Sequence, residues 1–137
     1  MPYGYKFNFA PQTVNPGSAV SFDGAGPLVG VGDPGPKGIQ IITSGDYLVE
    51  YSVVVEGAQA AAYALTLNNV EVPAFKSRYG AESVAGVNQI LIGTAVITAA
   101  AGDILRLKNI GRTADSLFGE DDLRGVLNAS LFVEQLT

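Results

Sequence analysis

The 137-residue chain has no cysteine, no histidine and no tryptophan. Without Cys or His there are no zinc fingers, thiolate metal centres, Cys or Ser–His nucleophilic pairs, or imidazole general bases. A disulfide scaffold and haem ligation through either residue are excluded as well. Charge is also scarce: 8 Lys and Arg with 13 Asp and Glu make 15% of the residues, for a net charge of −5. Soluble domains usually carry about a quarter. The acidic balance argues against a nucleic-acid partner, which calls for a basic face. No apolar run approaches the roughly 18 residues of a membrane span, so no membrane insertion is expected. The opening Met1-Pro2-Tyr3-Gly4 lacks the basic and apolar regions of a secretion signal.

What is present is apolar and turn-rich: 47% hydrophobic residues, 17 Gly and 7 Pro. The length fits one domain over residues 1–137. A soluble chain with so little charge has surplus apolar surface to cover, and an oligomer interface is the natural cover.

Period-two alternation runs along the chain. In residues 3–9 the aromatics Tyr3, Tyr5, Phe7 and Phe9 share one face, which is expected to be the buried one. Residues 18–22 read as a short strand, and residues 24–38 as a Gly/Pro loop. The loop contains Gly32-Asp33-Pro34-Gly35-Pro36-Lys37-Gly38, two collagen-like triplets, too few for a triple helix. Residues 47–56 alternate Tyr47, Val49, Tyr51, Val53 and Val55 against Leu48, Glu50, Ser52, Val54 and Glu56. The alanines of residues 58–64 read as loop and strand start, residues 70–75 as a strand, and residues 77–86 as polar loop. Residues 87–99 are apolar on both faces, which predicts cover from two sides. Strands at 104–109 and 126–136 flank a polar loop at 111–125. Eight to ten short strands with no convincing helix predict an all-β sandwich or jelly roll.

Few residues suggest chemistry. Glu120, Asp121 and Asp122 cluster beside Gly119 and supply the oxygens calcium prefers, but without the alternating spacing of an EF-hand. The competing reading is a solvated acidic loop that needs no cofactor. The Gly-x-Gly pairs at 24–26 and 30–32 precede no helix, which argues against a phosphate loop. Asn128-Ala129-Ser130 matches a glycosylation sequon but falls in an expected strand. No pair of acids is placed on a common cleft, so no catalytic residues are assigned and the chain is not expected to be an enzyme.

Three segments, in order, resemble one family. Ser44 to Tyr51 resembles the Gly-x-Tyr-x-apolar-x-Tyr strand of C1q/TNF-like domains. Gly93 to Ile97 followed by Ala101-Gly102-Asp103-Ile104-Leu105-Arg106-Leu107 resembles their strand, Gly-Asp turn and next strand. Asn128 to Leu136 is similar to the terminal strand of the BclA-type collagen-like exosporium glycoproteins of Bacillus, and Tyr5-Lys6-Phe7-Asn8 and Leu65 to Asn69 fit the same domains. The resemblance spans nearly the whole chain. With no collagen repeat ahead of the domain, it reads as a stalkless relative or an excised fragment.

The resemblance implies a ten-stranded C1q/TNF-like jelly roll assembled as a tight homotrimer. Tyr47, Val49 and Tyr51 would lie in the sandwich core. Leu48, Glu50, Ile92, Asn128 and Phe132 would face the trimer axis, where a carboxylate needs a cation, water, a donor or a proton. The implied role is a non-enzymatic structural or adhesive head on an extracellular or spore surface (exosporium). The alternative is a lectin-like module binding surface glycans or a receptor through loops at 73–86 and 112–124, with calcium assistance.

Overall fold

In a computed structural model, residues 1–57, 60–74, 76–119 and 126–136 are described. They form thirteen short strands and no helix: β1 (Tyr3–Asn8), β2 (Thr13–Val14), β3 (Gly24–Val29), β4 (Val31–Gly32), β5 (Ile39–Ile41), β6 (Gly45–Val55), β7 (Ala61–Leu67), β8 (Val70–Glu71), β9 (Tyr79–Ala81), β10 (Gln89–Ala99), β11 (Ile104–Asn109), β12 (Asp115–Ser116) and β13 (Ala129–Leu136). One sheet has the order β10-β6-β13-β1-β3, and the facing sheet the order β4-β5-β11-β7-β8 with β9 also on β7. Every pairing is antiparallel.

The core lies between the two sheets. Tyr47, Val49, Tyr51 and Val53 of β6 and Leu131 and Val133 of β13 pack with Ile39, Ile41, Tyr63, Leu65, Leu105 and Leu107 from the opposite sheet. Burying such side chains stabilises the fold by about 1.5–3 kcal/mol each. Tyr51 fits because Gly93, its partner on β10, has no side chain: a Cβ there would fall 2.2 Å from the ring. The ring passes over the glycine and its hydroxyl reaches the carbonyl oxygens of Ser77 (2.7 Å) and Tyr63 (3.1 Å). Asn68 and Asn69 take left-handed backbone angles (φ 52° and 69°) and form the two-residue turn of the β7–β8 hairpin. Asp103 in the next turn accepts from the Asn68 side-chain amide at 2.8 Å, tying the two turns together.

Several expectations change. The Gly/Pro stretch at 24–38 contains β3 and β4, because the ring of Phe7 occupies the space a side chain at position 24 would fill. Residues 18–22 form no strand of their own: they meet β11 through an isolated bridge, Ala19 to Lys108, flanked by the bonds from Val20 N–H to the Leu107 carbonyl and from Asn109 N–H to the Ser18 carbonyl. The strand expected at 70–75 stops at Glu71. Residues 77–86 contain β9. The strand count exceeds ten because several edge pieces are only two or three residues long.

The largest reversal is in β1. Its inward residues are Gly4, Lys6 and Asn8, all buried, while Tyr3, Tyr5 and Phe7 point out of the sandwich. Lys6 is tolerated inside because its ammonium emerges at the sheet margin, where it donates to Asp33 Oδ1 and the Gly35 carbonyl, both at 2.6 Å. The collagen-like loop therefore serves as the cap of a buried lysine.

Candidate functional site: an apolar sheet face

Alternation in four adjacent strands sets one half of their side chains outside the sandwich. β10 contributes Ile90, Ile92, Thr94 and Val96; β6 contributes Leu48, Glu50, Ser52 and Val54; β13 contributes Ser130, Phe132 and Glu134; β1 contributes Tyr3, Tyr5 and Phe7. Their registers align these into rows. Thr94, Glu50, Phe132 and Tyr5 are successive partners, and so are Ile92, Ser52, Ser130 and Phe7. Directly opposed side chains in such rows stand within about 5.5 Å at Cβ.

The face is continuous and largely apolar. Ile90 and Ile92 are 65% and 67% exposed and Val96 is 53% exposed. Single exposed apolar residues are ordinary, but a contiguous patch marks an interaction surface. The rings of Tyr5 and Phe7 lie 5.8 Å apart, and Phe7 and Phe9 stack at 6.3 Å. In the middle, a groove of about 400 Å³ is lined by Tyr5, Glu50, Ser52, Ile92, Ser130 and Phe132. Its floor carries one polar contact, between the Ser52 and Ser130 hydroxyls at 2.6 Å.

Four of the five residues expected at an interface share this face: Leu48, Glu50, Ile92 and Phe132. Asn128 does not. It is fully buried, accepts from the Asn8 amide at 2.8 Å and donates to the carbonyls of Phe118 (2.8 Å) and Ala10 (2.9 Å). It precedes β13, outside the strand's alternation, and closes the polar end of the sandwich. That burial also removes it as a glycosylation acceptor.

Glu120, Asp121 and Asp122 lie outside the described residues. Among the described residues no group of three or more His, Cys, Asp or Glu side chains converges as a metal site. At the end of the sandwich where β11 finishes, a second cavity of about 640 Å³ brings Ser83 together with Ile110, Arg112 and Thr113 against Ala60 and Ala62. These residues join one part of each loop expected to contact ligands.

Sequence reasoning missed the internal polar groups. Tyr63 donates to Asp115 Oδ2 at 2.9 Å inside the sandwich. Burial pushes the Asp115 carboxyl above its ordinary value, partly offset by the Tyr63 hydrogen bond. Burial and the neighbouring Asp115 charge push the Tyr63 hydroxyl up in turn. Asp33, held by Lys6 and by the Gly35 amide, is lowered. Lys6 and Asn8 carried a signal: they alternate with the aromatics of β1, so one of the two sets had to face inward.

No protein-family model matches the chain, and no curated protein matches it in sequence. Solved structures do. The globular domain of zebrafish complement 1qA aligns over 100% of this chain and 98% of its own, with a TM-score of 0.74 at 12% identity. Eiger TNF from S. frugiperda aligns over 100% and 94%, with a TM-score of 0.74 at 11% identity. The fold is a C1q/TNF-type jelly roll. Murine APRIL matches the same C1q/TNF-type frame over 98% of both chains, with a TM-score of 0.67 at 12% identity. At these identities the likeness establishes the fold alone.

Proposed function

We propose that the chain is a non-enzymatic head domain that assembles as a homotrimer through the outward face of the β10-β6-β13-β1-β3 sheet. The observation that carries this reading is the inverted strand β1. It sends three aromatics outward and a lysine inward, an arrangement that wastes its apolar surface unless something covers it. Covering by copies of the chain agrees with the assembly implied by the C1q/TNF resemblance, and closed symmetry suits it. The motifs similar to exosporium glycoproteins support display on a bacterial surface, the spore surface included, in a structural or adhesive role.

Sedimentation equilibrium at micromolar concentration tests the assembly. A species of three times the 14.2 kDa protomer mass is expected. A monomer throughout that range would overturn the reading.

The cavity holding Ser83, Arg112 and Thr113 favours a second reading, a binding module whose loops recognise a surface glycan or receptor. A glycan array run with calcium and with chelator separates the two. Binding in either condition supports a lectin-like head; silence in both leaves the structural role.

A further inference from the structure

The charges on the outward face are all of one sign. Among the described residues it carries Asp46 and Glu50 on β6 and Glu134 on β13, and no lysine or arginine. The one lysine of these strands, Lys6, points to the opposite side. Asp46 accepts from the Thr98 hydroxyl at 2.6 Å near the end of β6. Glu134 is half-buried, with Leu48 and Tyr3 as its cross-strand partners.

Glu50 stands in the middle of the face, beside the groove. Thr94 of β10 and Phe132 of β13 are directly opposite it. Ile92 and Val96 are diagonal on β10, Ser130 and Glu134 diagonal on β13, and Leu48 and Ser52 follow along β6. Tyr5 lies beyond Phe132 on β1. The neighbours are therefore apolar, hydroxyl-bearing or acidic. In the protomer the Glu50 carboxylate is exposed and meets water.

We propose that covering this face with further copies of the chain is coupled to proton uptake at Glu50, so that acid tightens assembly. The proposal rests on the trimer reading above. A carboxylate withdrawn from water without a cation is strongly disfavoured and takes a proton instead. Where a three-fold axis brings copies of this residue near one another, the added carboxylates repel, and that acts in the same direction. Protonated, Glu50 becomes a hydrogen-bond donor beside the Ser52 and Ser130 hydroxyls.

The test is sedimentation equilibrium of the whole chain from about pH 8 to about pH 5 at constant ionic strength with chelator present. One proton taken up per protomer raises the trimer association constant by up to about 10³ per unit fall in pH. Glu50→Gln, at an exposed site that leaves the protomer folded, is expected to assemble at least as tightly as wild type at pH 8 and to lose most of that slope. Glu134→Gln is expected to keep it. Circular dichroism at each pH confirms that the protomer stays folded. A wild-type trimer without pH dependence overturns the proposal, as does an equal slope in Glu50→Gln. Weakened assembly of Glu50→Gln would instead mean that a neighbour's cation meets the carboxylate, and also overturns it. Failure of both proteins to assemble at any pH would refute the trimer reading itself.

Discussion

Replacing Ile92 by alanine removes three carbons from a side chain that is 67% exposed in the protomer. In a lone protomer the change should cost no more than about 0.5 kcal/mol, the range of surface substitutions. Under a covering copy the same carbons are withdrawn from water. At about 0.8 kcal/mol per carbon, each protomer then loses about 2.4 kcal/mol of association energy. Three copies lose about 7 kcal/mol together, or about five orders of magnitude in the trimer association constant. Sedimentation equilibrium measures the association constant, and urea unfolding well below the assembly midpoint measures the protomer alone. Ile42→Ala is the control: that residue is 53% exposed but lies outside the five-stranded sheet, and its replacement should leave association unchanged. An unchanged association constant for Ile92→Ala, or a loss as large in the dilute protomer, would refute the reasoning.

Four further outcomes follow, three from the interior and one from the Lys6–Asp33 pair. Gly93→Ala places a Cβ 2.2 Å from the Tyr51 ring, which its hydroxyl contacts hold in place, so unfolding free energy should fall by about 3 kcal/mol in urea titration. Asn128→Ala leaves one N–H of the Asn8 amide and the Phe118 carbonyl without their partner, while the Ala10 carbonyl keeps the Asn8 amide at 2.7 Å; it should cost about 3 kcal/mol in the dilute protomer, with no separate weakening of association by sedimentation. The raised Asp115 carboxyl means that the folded chain holds this proton more tightly than the unfolded one. Its contribution is therefore present in acid and lost as pH rises from about 3.8 through the raised value; Asp115→Asn should flatten that part of a melting-temperature profile. Asp33 acts with the opposite sign: its contribution is present above about 3.8 and lost as pH falls through its lowered value, and Asp33→Asn removes that part.

The long strands were legible because their alternation is local and continuous. Tyr47, Val49 and Tyr51 share one face of β6, and Ile90, Ile92 and Val96 share one face of β10, as their spacing required; that the first set lies in the core was implied by the C1q/TNF resemblance. The same alternation misassigned β1, because a period of two says which residues share a face and not which face is inside. The answer depended on partners far away in sequence: Asp33 for Lys6 and Asn128 for Asn8. The strand in the Gly/Pro stretch was hidden for a related reason. Gly24 and Gly26 look like loop residues until the rings of Phe7 and Tyr5 are seen to lie against them. Asn128 was assigned from its neighbours in the terminal motif, whereas it sits one residue before the strand begins.

The polar side chains of β1 also select among alignments. A shift of one residue against β13 would turn Tyr3, Tyr5 and Phe7 into the core and Lys6 and Asn8 out to water, an exchange that burial of apolar area alone would favour. The native alignment is marked by groups that fit only one way: the ammonium of Lys6 at the Asp33 loop, the Asn8 amide on Asn128, and two rings over Gly24 and Gly26. These contacts form a key that rejects the slipped strand. A nascent chain that lost the key would trade the outward apolar face for a self-contained protomer, misregistered yet well buried. The buried lysine thus protects the surface on the opposite side of its own strand.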